Sequence, residues 1–375
     1  MKLAFSLLAL TLAATAAHAD PEVKLQPIWI SPSELPYGSI NHNAMSRSGR
    51  YVLMPHIVQN GNSNFYVRDI KTQTTTMLAP AGTGVDWNHY AISGNGQYLA
   101  FKLNSETTTR IYNQATATHQ SITRQSASNM GVADNGSVLY LKSFGTYQQL
   151  LLRASSGSET VVADSRDYLP INSSQMTLSL GSLYHRDPLS RDGKTALFSH
   201  GQDYYIWRKG QGVTALAPQF ALQGQNLTQV QVGNAGLSSD GLAIAFAATA
   251  PWTDADGSAY SKRYLHLLTS AQLDSGEAPQ RFDMSVHNIQ LANTPLSVSA
   301  KGRYLTFNAY LQPGHPEFTK AANGGPDQGF RRIFRYDTQT DTLTTLTVTH
   351  DGAAPLNDSG NDPLVNTTSV VSDDG

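Results

Sequence analysis

The chain of 375 residues contains no cysteine. That excludes disulfide staples, thiolate nucleophiles and cysteine metal sites, and a chain of this size buries enough surface without cross-links. Charge is scarce as well. Asp, Glu, Lys and Arg supply 14% of the residues, with 26 Lys+Arg against 28 Asp+Glu and a formal net charge of −2. No basic run occurs, so a nucleic-acid partner has no electrostatic footprint. No apolar run reaches the roughly 20 residues that span a bilayer. Catalytic signatures are missing too. Neither a Gly-x-Ser-x-Gly elbow, nor His-Glu-x-x-His, nor a phosphate-cradling Gly-x-x-x-x-Gly-Lys is present. Long surface helices favour Glu, Lys and Arg, whereas this composition of Ser, Thr, Asn, Gln and Gly suits strands and polar turns.

What is present begins with a leader. Lys2 precedes the apolar run Leu3 to Leu12, and a small-residue stretch ends in Ala17-His18-Ala19. That order of charged start, apolar middle and A-x-A end predicts a secretory signal peptide over residues 1–19, cleaved before Asp20. The expected location is therefore periplasmic or secreted, with no membrane span after cleavage.

One phrase then recurs along the chain: Ser or Ala, a polar-Gly turn, and a short apolar strand. It appears at Ser46 to Leu53, Ser93 to Phe101, Ala133 to Tyr140, Ser190 to Phe198, Ser238 to Phe246 and Ser299 to Phe307, and begins again at Ser372. The turn glycines are Gly49, Gly96, Gly136, Gly193, Gly241, Gly302 and Gly375. Glycine accepts positive φ, and Asn or Asp before it tolerates the same turn. A second strand follows each phrase, as in Phe65 to Asp69 or Ile333 to Asp337, and a third follows a polar turn, as in Leu343 to Leu346. With the strand entering the turn, that makes four strands per repeat. The shorter spacings match one propeller blade, and the longer ones leave room for insertions such as Leu311 to Phe330. The fold class is thus all-β: a β-propeller of four-stranded blades over residues 41–375. Seven blades with the last truncated is the first reading; six blades with a C-terminal tail is the alternative. Residues 20–40 form a lead-in, and Val23 to Ile30 could supply a ring-closing strand.

The pattern Ser-x-Asp-Gly-(Lys/Arg)-Tyr-Leu-x-Phe followed by Ile-Tyr-Val-x-Asp resembles the WD-like repeat of TolB-type propellers. Ser299 to Phe307 with Ile333 to Asp337, and Ser93 to Phe101, carry it most fully. The third copy departs, with Ala133 for Ser and Ser137 for the basic residue. The α/β domain that precedes the TolB propeller has no counterpart here.

Counting back from each turn, positions −5 and −4 hold Asn41-His42, Asn88-His89, Ser128-Asn129, His185-Arg186, Gly233-Asn234 and Thr294-Pro295. If the strand before the turn is innermost, Asn41, His42, Asn88, His89, Asn129, His185, Arg186 and Asn234 ring one mouth of the channel. Imidazoles and amides there could bind a small polar ligand; the alternative role is to satisfy strand-end backbone. Asp254-Ala255-Asp256-Gly257 lacks the bidentate Glu of a calcium loop, since Leu265 stands at its twelfth position. Trp29, Trp87, Trp207 and Trp252 share no register, which leaves a quinone-type propeller enzyme unsupported.

No cofactor, metal or catalytic residue is predicted. The first functional expectation is a non-enzymatic cell-envelope scaffold that binds a protein partner or ligand, by analogy with TolB-like proteins. The alternatives are a hydrolase or lyase with its site at the channel mouth, and the regulatory propeller of a larger enzyme.

Overall fold

The computed structural model describes residues 45–57, 63–79, 85–103, 108–123, 130–168, 178–179, 188–200, 203–216, 234–253, 259–292, 296–318, 329–346 and 372–373. Their strands form six antiparallel sheets, the six blades of a β-propeller. Blade 1 holds β1 (Tyr51–Ile57), β2 (Ser63–Asp69) and β3 (Thr74–Ala79). Blade 2 holds β4 (Val85–Ile92), β5 (Tyr98–Leu103), β6 (Thr108–Asn113) and β7 (Thr118–Thr123). Blade 3 runs β8 (Gly131–Val132), β9 (Val138–Ser143), β10 (Gln148–Arg153) and β11 (Glu159–Asp164). Blade 4 runs β12 (Leu178–Ser179), β13 (Thr195–His200), β14 (Asp203–Arg208) and β15 (Gly212–Ala215). Blade 5 runs β16 (Asn234–Leu237), β17 (Ala243–Thr253), β18 (Ala259–Thr269) and β19 (Gln280–Phe282). Blade 6 comprises β20 (Ile289–Leu291), β21 (Ser297–Val298), β22 (Tyr304–Leu311), β23 (Arg331–Asp337) and β24 (Thr342–Thr345). Three to five strands per blade, rather than a uniform four, is the observed range.

The repeated phrase has a physical job in every copy. The serine is buried, and its Oγ accepts from the backbone N–H five residues on: Tyr51 onto Ser46 (3.0 Å), Tyr98 onto Ser93 (3.0 Å), Thr195 onto Ser190 (2.9 Å), Ala243 onto Ser238 (2.8 Å) and Tyr304 onto Ser299 (2.8 Å). In three copies the same hydroxyl donates at 2.7 Å to the side chain two residues on, Asn95, Asp192 or Asp240. A buried hydroxyl is thereby satisfied while it fixes the turn. The Ala133 copy keeps the turn without the serine: Gly136 N–H donates to the Ala133 carbonyl (3.0 Å) and Ser137 N–H to Asn135 Oδ1 (2.9 Å).

Middle strands are covered on both faces and read as apolar runs; all six residues of β13 are buried. Outer strands face water and are rich in threonine, as in β3, where Thr74, Thr75 and Thr76 are exposed. Neighbouring blades share apolar seams. Leu265 and Leu267 of β18 pack with Leu305 and Phe307 of β22, and Leu53 and Val67 of blade 1 pack with Leu99 and Phe101 of blade 2. The helix α1 (Ser270–Ser275) was not foreseen. It interrupts blade 5 between β18 and β19, with a Thr269/Gln272 capping box and a left-handed Gly276 at its end. The Leu311 to Phe330 insertion does join two strands, and its neck is zipped by Leu311 N–H to the Phe330 carbonyl (2.9 Å) and Gly329 N–H to the Leu311 carbonyl (2.8 Å).

The described sheets number six, the alternative count above. Of the seventh copy of the phrase, Ser372 and Asp373 are described. Ser48 N–H donates to the Gly94 carbonyl, Asp134 N–H to the Arg191 carbonyl and Arg191 N–H to the Ser239 carbonyl, linking successive copies. Asp373 N–H donates to the Arg47 carbonyl in the same manner (3.0 Å), so the last copy stands beside the first. The packing agrees: a Cβ on Gly241 would meet Ser190 of the preceding copy, and one on Gly49 would meet Ser372. The segment 367–371 and the expected ring-closing strand Val23 to Ile30 lie outside the described residues, as do residues 1–19.

Candidate functional site: the two ends of the propeller axis

Each strand that enters a turn lies at the edge of its sheet, as β4, β8 and β16 do. Arg47 shows that these edges face a common axis. Its Nη1 donates to the Val298 carbonyl (2.8 Å) and Ser297 Oγ (3.3 Å) of blade 6, and its Nη2 to the Leu237 carbonyl (3.1 Å) of blade 5. A side chain from the first turn thus crosses to two other blades and is 3% exposed. Arg191, from the fourth turn, bridges Asp134 (2.6 Å) and Asp373 (2.5 Å) of the third and seventh turns. Charge-assisted bonds of this kind are short and directional. Together the two arginines tie turns and blades to one another at the turn end.

The opposite end is built from the other ends of the same strands. His200, the last residue of β13, is 1% exposed, and neither ring nitrogen has a hydrogen-bond partner among the described residues. Burial pushes its imidazole below the usual range, with nearby Asp203 opposing. Tyr168 stacks on it at 5.3 Å between ring centres and meets Tyr205 edge-on at 4.7 Å. Burial pushes the Tyr168 hydroxyl up to about 12. The β9–β10 hairpin tip projects at this end too. Phe144 and Tyr147 stack at 4.9 Å, with Lys142 over Phe144 and Arg166 over Tyr147 at 3.9 Å. Asp164 fixes Arg166 through two bonds (2.9 and 2.6 Å), and Arg166 holds the Asp164 carboxyl well below the usual carboxylate range. These are rigid aromatic and cationic groups, the types enriched at binding hot spots.

Of the sequence-predicted ring, Asn88 and His89 lie in β4, within the stretch between Val85 and Tyr90 where the β5 register shifts. Asn234 opens β16, paired with Ala247. Asn41, His42, Asn129, His185 and Arg186 lie outside the described residues, as do Asp254 to Ser258. The His200–Tyr168 pair and the axial arginines were not singled out from sequence. Arg at the second position of two turns was visible, but its reach across the axis was not. Among the described residues no cluster of three metal-ligating side chains occurs, and no helix is long and apolar enough to cross a membrane.

The architecture defines the protein as a β-propeller. No protein-family model matches the chain, and no curated protein matches it. Among solved structures it is similar to TolB from Acinetobacter baumannii, at 11% identity and a TM-score of 0.43, covering 80% of this chain and 64% of that one. The chain thus spans less than two thirds of that TolB. It is also similar to a putative TolB from Agrobacterium tumefaciens (17% identity, TM-score 0.40, 76% of this chain and 88% of that one). A third similarity is to the acylaminoacyl peptidase of Pyrococcus horikoshii (10% identity, TM-score 0.45, 83% of this chain and 45% of that one).

Proposed function

We propose that this protein is an exported, non-enzymatic scaffold of the cell envelope that receives a protein partner on the face opposite its turn ring. The observation that carries this reading is the stacked Phe144–Tyr147 pair flanked by Lys142 and Arg166, at the end of the propeller opposite the turns that Arg47 and Arg191 tie together. The pair stands preorganised on the β9–β10 hairpin tip, and Asp164 fixes the flanking Arg166. Such groups lose little side-chain entropy on binding. The imidazoles and amides of His42, His89, His185, Asn41, Asn88, Asn129 and Asn234, with Arg186, are proposed as the polar lining of the same mouth. The leader pattern over residues 1–19 supports export.

A photo-crosslinking residue placed at exposed Thr146, on the hairpin tip, tests the face. The same residue at exposed Lys301, on the turn ring, is the control. A specific adduct in cells from the Thr146 position alone is the expected result. Equal adducts from both positions, or adducts from Lys301 alone, would contradict the assignment. Mass analysis of the expressed protein should find Asp20 at its N-terminus; an uncleaved leader would refute export.

A further inference from the structure

A cleft of about 410 Å³ lies between blades 1 and 2 on the turn side, away from the face discussed above. That volume falls within the range of small-molecule sites, about 300–1,000 Å³. We propose that this cleft binds a neutral saccharide.

The lining is almost entirely uncharged and polar. Thr74 and Thr76 contribute hydroxyls, and Asn95, Gln97 and Gln114 contribute amides; of these, Thr74 is bonded to Thr72, Asn95 accepts from Ser93 and the Gln97 N–H, and Gln114 donates to the Gly96 carbonyl. Hydroxyls and amides each donate and accept, which matches the hydroxyl groups of a sugar. The Gln97 side chain and the Thr76 hydroxyl have no hydrogen-bond partner among the described residues, so both are free to meet a ligand. The one ionised lining group is Asp69, and Arg50 neutralises it through Nε (3.0 Å to Oδ1) and Nη2 (2.6 Å to Oδ2). The Arg50 bond, helped by the Thr72 and Lys71 amides, holds the Asp69 carboxyl down to about 2. The cleft therefore presents no unbalanced charge to select an ion. Val67 and Ala115 add apolar surface for the C–H face of a sugar ring.

Tyr51, first residue after its turn, packs its ring on Gly96, where a Cβ would overlap Tyr51 Cδ2. At the seam between blades 5 and 6 the equivalent residues are Ala243 and Leu267, which close directly on Gly302. A tyrosine ring thus lies on the turn glycine at the first seam where small and branched residues lie on it at the other. The backbone around the cleft is fixed as well: Asp69 Oδ1 accepts from Lys71 N–H (3.0 Å) and Thr72 N–H (3.3 Å).

The test is titration calorimetry with saturation-transfer NMR on the purified full chain. Glucose, N-acetylglucosamine and maltose are the neutral probes, with glucuronate and glucosamine as charged controls. At least one neutral sugar should bind with a saturable 1:1 isotherm, unchanged between pH 5 and 8. Thr76→Trp, which fills the cleft from an exposed position, should weaken binding about tenfold or more. Gln97→Ala should weaken it less, and melting temperature should hold in both variants. No binding by any neutral sugar overturns the proposal. So does undiminished binding in both variants, or a charged control that binds more tightly than every neutral sugar. The crosslinking outcome at Thr146 concerns the opposite face, so either reading can fail without the other.

Discussion

Arg47 is a buried cation whose partners are backbone carbonyls of two distant blades. Its removal leaves the Leu237 and Val298 carbonyls without this donor in a site closed to water. Hydrogen bonds to charged groups contribute about 1.5–3 kcal/mol each, and orphaning a buried acceptor costs more than the bond itself contributes. Arg47→Ala should therefore lower unfolding free energy by about 3 kcal/mol or more, measured by urea titration. Arg47→Lys should recover only part of it, because a single ammonium cannot replace the two-pronged reach. His266 makes a pH prediction. It is buried in β18 and stacked on Phe246 at 4.9 Å, and burial, helped by the Arg281 charge, pushes its pKa down to about 4. In the unfolded chain it takes a proton near 6.5. The unfolded state then binds more protons below that pH, so this contribution is complete above pH 6.5 and is lost as pH falls toward 4. Melting temperature should drop across that window. His266→Phe, which keeps a ring on Phe246, should flatten the drop.

At the scale of the element, the turn is the unit that the sequence repeats. One of its glycines and one hairpin glycine separate its physical demands. Gly96 has φ +77° and a Cβ there would collide with Tyr51; Gly145, in the β9–β10 hairpin, has φ +79° and open space. Gly145→Ala should cost about 1–2 kcal/mol from the left-handed backbone alone. Gly96→Ala should add about 1–3 kcal/mol of overpacking to that. Tyr51→Ala in the Gly96→Ala background should recover part of the added loss, a coupling that a double-mutant cycle measures. The serine hydroxyls predict a further contrast. Ser190→Ala removes an acceptor for the Thr195 N–H and a donor to Asp192, whereas Ala133 shows that a turn persists without either. Ser190→Ala should thus weaken the blade by about 1 kcal/mol and leave the fold intact, as read by calorimetry and circular dichroism.

Across the whole molecule, Arg191 ties the third, fourth and seventh turns together. It is partly exposed, at 39% for the side chain, so solvent and salt screen it. Arg191→Ala should lower stability by about 1 kcal/mol at low salt and by less in about 1 M salt, since screening removes most of such an exposed pair. The propeller itself was legible in the chain because the blades repeat the same local solution: a buried serine, replaced once by Ala133, a positive-φ glycine and an apolar strand. Those demands are met within a few residues, so they leave a periodic trace. The candidate site was far less legible. Position counting led to the channel-mouth ring of His42, His89 and His185. It did not lead to the Tyr168–His200 stack or to Arg47, whose partners are 190 and 251 residues away.

The sequence by itself determined the blade: its strands, its turn chemistry and its all-β class. Those features depend on hydrogen bonds and side-chain alternation between near neighbours, which any single repeat already contains. Only the tertiary structure decided which carbonyls and carboxylates Arg47 and Arg191 reach in other repeats, and that the described strands form six sheets. Contacts between blades join residues far apart in the chain, and no local pattern encodes which side chains the ring will bring face to face.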